Sequence, residues 1–202
     1  MDETLPKGER TRQNILQAAY ALFLNQGFHG TSMRQIAARA GLAPGSIYNH
    51  FNSKDAIWEI LFQERHPYHH VLRILREVGG DTIEDFLRNA ARAMVYSLEQ
   101  QPDFLKMMFI EIVEFNGVHV PSMVKTIYPQ ILPFLQRFIS EEDKLRDIPV
   151  PVLFRSFVGL FFSYYITGLM LGNTDLPIFQ EGSLEQFVDI FLHGVLKQLE
   201  VR

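Results

Sequence analysis

At 202 residues and 47% hydrophobic content, the chain is long enough to bury either one substantial core or a small core joined to a larger one. The absence of cysteine excludes disulfides, thiolate metal sites and cysteine nucleophiles and suits a reducing cytoplasm, the expected location; the opening MDETLPKGER also lacks the apolar run of a secretory signal. The net charge of −4 is unevenly spread, with six Lys and Arg against three acidic residues in 1–54, so a head of +3 precedes a body of −7 and a polyanion becomes a candidate partner.

Every long apolar pattern has helical spacing, which predicts an all-α fold. Over roughly residues 9–26, Ile15, Ala18, Ala19, Leu22 and Phe23 recur at helical intervals and form one buried stripe closed by Gly27, onto which Phe28 folds back. Ser32 predicts the N-cap of a second helix, with Gln35 completing a capping box, Ile36, Ala37 and Ala40 on the inner face, and Gly41 supplying a left-handed end. A short third helix is expected to start with Pro44 and to point Ile47 and Phe51 inward. Two helices joined by a short, Gly-led turn make a helix-turn-helix. Asn52 or Ser53 then caps a fourth helix whose first turn presents Lys54.

The outer face of the third helix carries Ser46, Tyr48, Asn49 and His50, whose hydrogen-bonding groups reach phosphates and base edges, while Gly45 leaves no side chain to hold the backbone away. Residues 10–58, and above all TSMRQIAARAGLAPGSIYNHFNSKDAIW at 31–58, resemble the DNA-binding domain of TetR-type transcriptional regulators, with Gly41, Gly45, Tyr48, Phe51 and Lys54 at the family's spacing. Two positions depart from that pattern. Ala43 stands where a capping Ser or Thr is usual, which should cost about 1 kcal/mol, and Gln35 replaces a common acidic residue.

The resemblance implies a three-helix DNA-binding domain over 1–54 and a larger helical domain for effector binding and dimerisation over 55–202. It also implies that the third helix enters the major groove. The expected DNA-binding set is Thr31, Arg34, Pro44, Gly45, Ser46, Tyr48, Asn49, His50 and Lys54. Arg34 and Asn49 suit guanine and adenine edges, whereas Tyr48, His50 and Lys54 suit phosphates and Thr31 and Ser46 add hydroxyls. One copy reads few bases, so two copies about 34 Å apart on double-stranded DNA are expected, and with them a palindromic operator.

In the body, the fourth helix should run to about Val78 with a break near His66, because Pro67 lacks an amide hydrogen. Asp81 and Glu84 open a further helix ending before Pro102, and residues 104–115, apolar nearly all round, are expected to be buried on most sides. Residues 152–171 are long and apolar enough to span a bilayer, but Arg155, Ser156, Ser163 and Thr167 interrupt them and no basic flank sets an orientation. The expectation is no membrane span but a helix shared between its own core and a partner subunit. The last helix, 183–199, carries Phe187, Phe191, Val195 and Leu199 in one stripe, widened by Val188 and Leu192; by resemblance it joins residues 152–171 in the four-helix interface of a homodimer.

The resemblance further implies a small-molecule site in the body. Its aromatic and Met lining would come from Phe104, Met107, Met108, Phe115, Tyr128, Phe134, Phe157, Phe161 and Tyr164, with Phe109 and Tyr165 nearby and Glu111 favouring a cationic group; the effector would be small and lipophilic. His66 and His70 are four apart, but Pro67 between them argues against a metal site, and no cofactor is expected. No catalytic triad, phosphate-cradling loop or acid–base carboxylate pair is recognisable, so an enzyme is not expected; what the resemblance implies is a DNA-binding regulator, with a repressor released by its effector as the expected form. The competing reading is an effector-independent DNA-binding structural or assembly factor on the same fold.

Overall fold

Four helix starts are set by hydroxyl caps. Ser32, Ser53, Thr82 and Ser183 each sit in extended backbone and accept a hydrogen bond from the amide three residues on, and Ser32 with Gln35 and Ser183 with Gln186 complete reciprocal capping boxes. The computed structural model describes residues 6–66, 68–141, 143–171 and 183–196, with the Phe138 side chain left aside. Its α-helices are α1 (Lys7–Gln26), α2 (Met33–Arg39), α3 (Lys54–Arg65), α4 (Tyr68–Glu77), α5 (Ile83–Glu99), α6 (Phe104–Phe115), α7 (Val120–Ser140), α8 (Val150–Leu171) and α9 (Leu184–Val195), with a 3-10 turn at Ser46–Asn49. The fold is all-α: among the described residues the β structure amounts to one isolated bridge, Leu145 to Leu196.

Helix ends follow the local chemistry as closely as the starts do. Gly41, at φ 73°, closes α2 in a Schellman arrangement, with the Leu42 N–H donating to the Ala37 carbonyl at 2.9 Å and the Gly41 N–H to Ala38 at 3.2 Å. The expected break of the fourth helix falls between α3 and α4: His66 has ψ 132°, the extended backbone that a residue before proline adopts.

The chain divides into two compact units. The first joins Met1–His66 to Asp103–Lys125, so the unit that holds the helix-turn-helix is larger than residues 1–54 and takes in α3 and α6. Its core is built on Ile15, Phe23, Ile36, Ile47, Ile57, Trp58 and Phe62, all buried. Trp58 meets Phe23 edge-on at 5.5 Å and stacks on Phe115 at 5.4 Å with an interplanar angle of 11°. Such pairs contribute about 0.5–1.5 kcal/mol each beyond the area they bury. The Tyr20 hydroxyl on α1 donates to Asp103 at 3.3 Å, and burial, reinforced by that carboxylate, pushes its pKa up to about 12.

The second unit comprises Pro67–Pro102 and Thr126–Arg202. Here α4 packs on α5, and α5, α8 and α9 pack on one another. Phe157 lies at the centre, 5.6 Å from Phe134, 4.8 Å from Phe161 and 5.5 Å from Phe191. Arg88 of α5 bridges Glu185 and Asp189 of α9, and Arg146 donates to the Gly194 carbonyl at 2.9 Å, placing a cation at the C-terminal end of that helix.

Two expectations change. Residues 104–115 are not buried on most sides: Phe104, Leu105, Met107, Ile110 and Glu111 face inward, whereas Phe109, Ile112 and Val113 are exposed. Phe191 and Val195 of α9 are buried within their own chain and leave Ile190 outside, with Phe187 half-buried against Tyr164 at 5.0 Å. An apolar stripe must be covered, and here α5 and α8 cover it before any partner can; Leu199 lies outside the described residues. α8, which has the length and composition of a membrane span, buries one stripe, Leu153, Phe157, Phe161 and Tyr165, in protein.

Two measurements check these cores. Phe157→Ala should lower unfolding stability in urea by about 3–5 kcal/mol, because the surrounding rings cannot close the space. For Tyr20, a folded pKa raised above the unfolded value means its contribution is full below pH 10 and lost as pH rises towards about 12. Tyr20→Phe should therefore flatten the alkaline fall in stability over that interval.

Candidate nucleic-acid interface

The turn between α1 and α2 fixes the direction in which α2 leaves. It begins at Gly27, with φ 76° and ψ 170°, a conformation open to glycine, and closes with the Thr31 N–H donating to the Phe28 carbonyl at 3.1 Å. Thr31 is buried and its hydroxyl donates to the Gly27 carbonyl at 2.8 Å. The expected DNA contact from Thr31 is therefore corrected: the hydroxyl is spent inside the turn.

Lys54 is corrected in the same sense. Its Nζ donates to the carbonyls of Phe28 and Thr31, both at 2.6 Å, and lies 4.1 Å from the centre of the Phe28 ring. Burial pushes this ammonium below the usual lysine range, against the opposing pull of Asp55 and Glu114. The side chain expected on a phosphate instead clamps the start of α3 to the turn before α2.

The third helix also differs from expectation. It is a 3-10 turn over Ser46–Asn49, not an α-helix opened by Pro44, and no side chain caps it. Pro44 and Gly45 form the turn ahead of it, with the Ser46 N–H donating to the Ala43 carbonyl at 2.9 Å. Ala43 has no hydroxyl to offer an α-helical start, so the tighter repeat takes over. Ile47 and Phe51 are buried as expected and anchor the segment.

Several of the expected residues remain outside. Pro44, Gly45, Tyr48 and Asn49 are exposed, Ser46 and His50 are half-exposed, and Arg34 is exposed on the first turn of α2. Tyr48 is 55% exposed although it is large and aromatic, so it serves no packing role here. Guanidinium, carboxamide, phenol and imidazole groups on one basic head can donate to phosphates and base edges.

The residues expected around an effector do not form one group. Phe104, Met107, Met108, Glu111 and Phe115 belong to the first unit, and Tyr128, Phe134, Phe157, Phe161 and Tyr164 to the second. Glu111 is corrected: fully buried, it accepts from Trp58 Nε1 at 2.9 Å, from the His119 N–H at 2.8 Å and from His119 Nδ1 at 2.9 Å, which leaves nothing for a cationic ligand. Phe115 is corrected too, since its ring is taken up by Trp58 and, at 4.4 Å, by Phe28. Phe104 and Met107 are buried, Tyr128 is exposed, and Phe134, Phe157 and Phe161 fill the second core. An open polar cavity of about 310 Å³ beside α1 and α2 is lined by Asn14, Gln17, Ala18, Ala21, Arg39 and Ala40, none of them expected for a lipophilic ligand.

Glu114 is a functional contact that sequence spacing did not single out. Its carboxylate accepts from the Phe28 N–H at 3.0 Å and the His29 N–H at 2.6 Å. The local signal, an acidic residue among apolar ones, does not reveal a partner some eighty residues away.

Against known proteins, residues 15–59 match the family described as bacterial regulatory proteins, tetR family. Over 187 residues the chain is 25% identical to the uncharacterised HTH-type transcriptional regulator YvkB of Bacillus subtilis, covering 92% of this chain and 97% of that one. Among solved structures, a putative tetR family regulator from Shewanella sp. PV-4 superposes with a TM-score of 0.68 at 18% identity, covering 93% of this chain and 99% of the other. NalD, the secondary repressor of the MexAB-OprM multidrug efflux pump in Pseudomonas aeruginosa, superposes with a TM-score of 0.64 at 24% identity, covering 96% and 100%.

The geometry separates two kinds of variant. Arg34→Ala should cost about 1–3 kcal/mol of discrimination between a specific duplex and a scrambled one, read by competition binding. Lys54→Met should lower the thermal stability of the protein by about 1–2 kcal/mol, because two carbonyls lose a charged donor.

Proposed function

The chain belongs to the tetR family of bacterial regulatory proteins and is a helix-turn-helix DNA-binding regulator; from that premise we propose that it is a repressor released from a palindromic operator by a small lipophilic effector. The observation that carries the reading is the exposure of Tyr48 and Asn49, with His50 half-exposed, on a segment whose Ile47 and Phe51 are buried, together with exposed Arg34 on the first turn of α2. Exposed polar groups on a rigidly anchored turn suit base and phosphate contacts. NalD, named as a repressor, supports the sign of the output.

DNA reading is assigned to residues 1–54, with dimerisation and effector binding in 55–202, and the protein works in the cytoplasm as a homodimer. The dimer forms through the outer sides of α8 and α9, where Val152, Val158, Met170 and Ile190 are exposed beside Gly159 and Gly194. The glycines let two helices approach closely. The effector binds within residues 55–202 and favours a dimer whose two heads no longer match successive major grooves. Effector and operator then weaken each other by the same factor, commonly about 1–3 kcal/mol of coupling.

The test is to sequence the fragments that the protein retains from the genome encoding it and to screen lipophilic compounds by thermal shift. Expected are an inverted repeat bound by one or two dimers and at least one stabilising compound that releases it, with affinity falling steeply as salt rises. Asymmetric or sequence-independent retention overturns the operator, and equal effector affinity with and without operator overturns the coupling.

A further inference from the structure

Glu114 lies outside every contact expected with DNA, yet it grips the segment that aims α2. One carboxylate takes two consecutive backbone N–H groups, Phe28 at 3.0 Å to Oε1 and His29 at 2.6 Å to Oε2. The approach is close: a Cβ on Gly27 would stand 2.8 Å from Oε1 and push the carboxylate aside, while the φ of 76° independently favours glycine. The carbonyls of the same turn point to Lys54, at 2.6 Å from Phe28 and 2.6 Å from Thr31. The turn is therefore held through its own peptide dipoles, amides towards an anion and carbonyls towards a cation.

We infer that Glu114 is a positioning residue for DNA recognition: from α6 it fixes the turn after Gly27 and thereby the direction of α2 and the placement of Arg34. The inference rests on the assignment of Arg34 and residues 44–50 to the DNA-reading side. Thr31, the last residue of the clamped turn, adjoins the Ser32 N-cap, and Arg34 lies in the first turn of the helix that Ser32 starts. Between Phe28 and Glu114 there are 86 positions of sequence, yet both belong to one compact unit.

The sign of the effect separates positioning from charge. Glu114 is an anion on a head that binds a polyanion, so by Coulomb attraction alone its neutralisation tightens binding to every duplex. Positioning gives the opposite sign for one duplex. The experiment compares the unaltered chain with Glu114→Gln on the duplex recovered by genomic selection and on a scrambled duplex of the same length, with backbone amide exchange at Phe28 and His29 read by NMR. The expected result is roughly tenfold weaker binding to the selected duplex, the effect of losing a charge-assisted hydrogen bond, together with unchanged or slightly tighter binding to the scrambled one and faster exchange at both amides. Should Glu114→Gln fail to fold, Glu114→Asp, one methylene short of reaching both amides, carries the same comparison with a smaller loss. Equal or tighter binding of the selected duplex by the folded variant overturns the role of Glu114 while leaving the DNA-binding reading intact. Failure of the unaltered chain to retain any duplex overturns both.

Discussion

Two carboxylates one helical turn apart on α6 govern the DNA-reading unit, and most of what surrounds them follows from keeping them satisfied. Glu111 is fully buried, and a buried carboxylate without donors costs several kcal/mol. Trp58 and His119 supply three donors, so the indole at the centre of the core is oriented by its N–H as well as by its packing. Glu114 captures the turn that precedes α2. Pulling α6 away would strand both carboxylates and uncover Phe28, Trp58 and Phe115 together. Residues 103–125 therefore belong to the head as firmly as residues that adjoin it in sequence.

The elements with local causes were legible in the sequence. Ser32 with Gln35, Gly27, Gly41, Ser53, and the break before Pro67 each depend on chemistry within about four residues, and each appears where its chemistry puts it. The inward Ile47 and Phe51 follow from spacing alone. What depended on partners distant in the chain was not legible. Lys54, Thr31 and Glu114 are polar residues that sequence spacing leaves free to point outward, and Glu111 was expected to face a ligand; all four are instead claimed by backbone carbonyls or amides of the folded turn, or by an indole. The 3-10 turn in place of an α-helix stands between these cases: Ala43 announces a missing cap, but not the tighter repeat that follows from it.

A similar limit applies to the long helices. Periodicity shows that α9 has an apolar side, not which surface covers it. Phe191 and Val195 are covered by α5 and α8 of the same chain, while Ile190 is left out on the far side. In α8 the stripe Leu153, Phe157, Phe161 and Tyr165 has the same fate, and Val152, Val158 and Met170 face away from it. A helix apolar on two sides reads from composition like a membrane span, and burial of one stripe in a protein core gives that composition a second cause.

Membership of α6 in the reading unit also constrains how any ligand can act on DNA binding. A ligand shifts an equilibrium only by its difference in affinity for the two states, so it must touch something that differs between them. Within the first unit little is free to differ: the turn after Gly27 is tied to Glu114 on one side and Lys54 on the other, and Glu111 is tied to Trp58. A ligand that deformed this unit would have to break several charge-assisted hydrogen bonds at once, at about 1.5–3 kcal/mol each, more than the coupling usually found between such sites. Moving the unit as a whole breaks none of them. Under the proposed mechanism, rigidity inside the head would let a modest binding energy elsewhere in the chain act on the spacing of two heads.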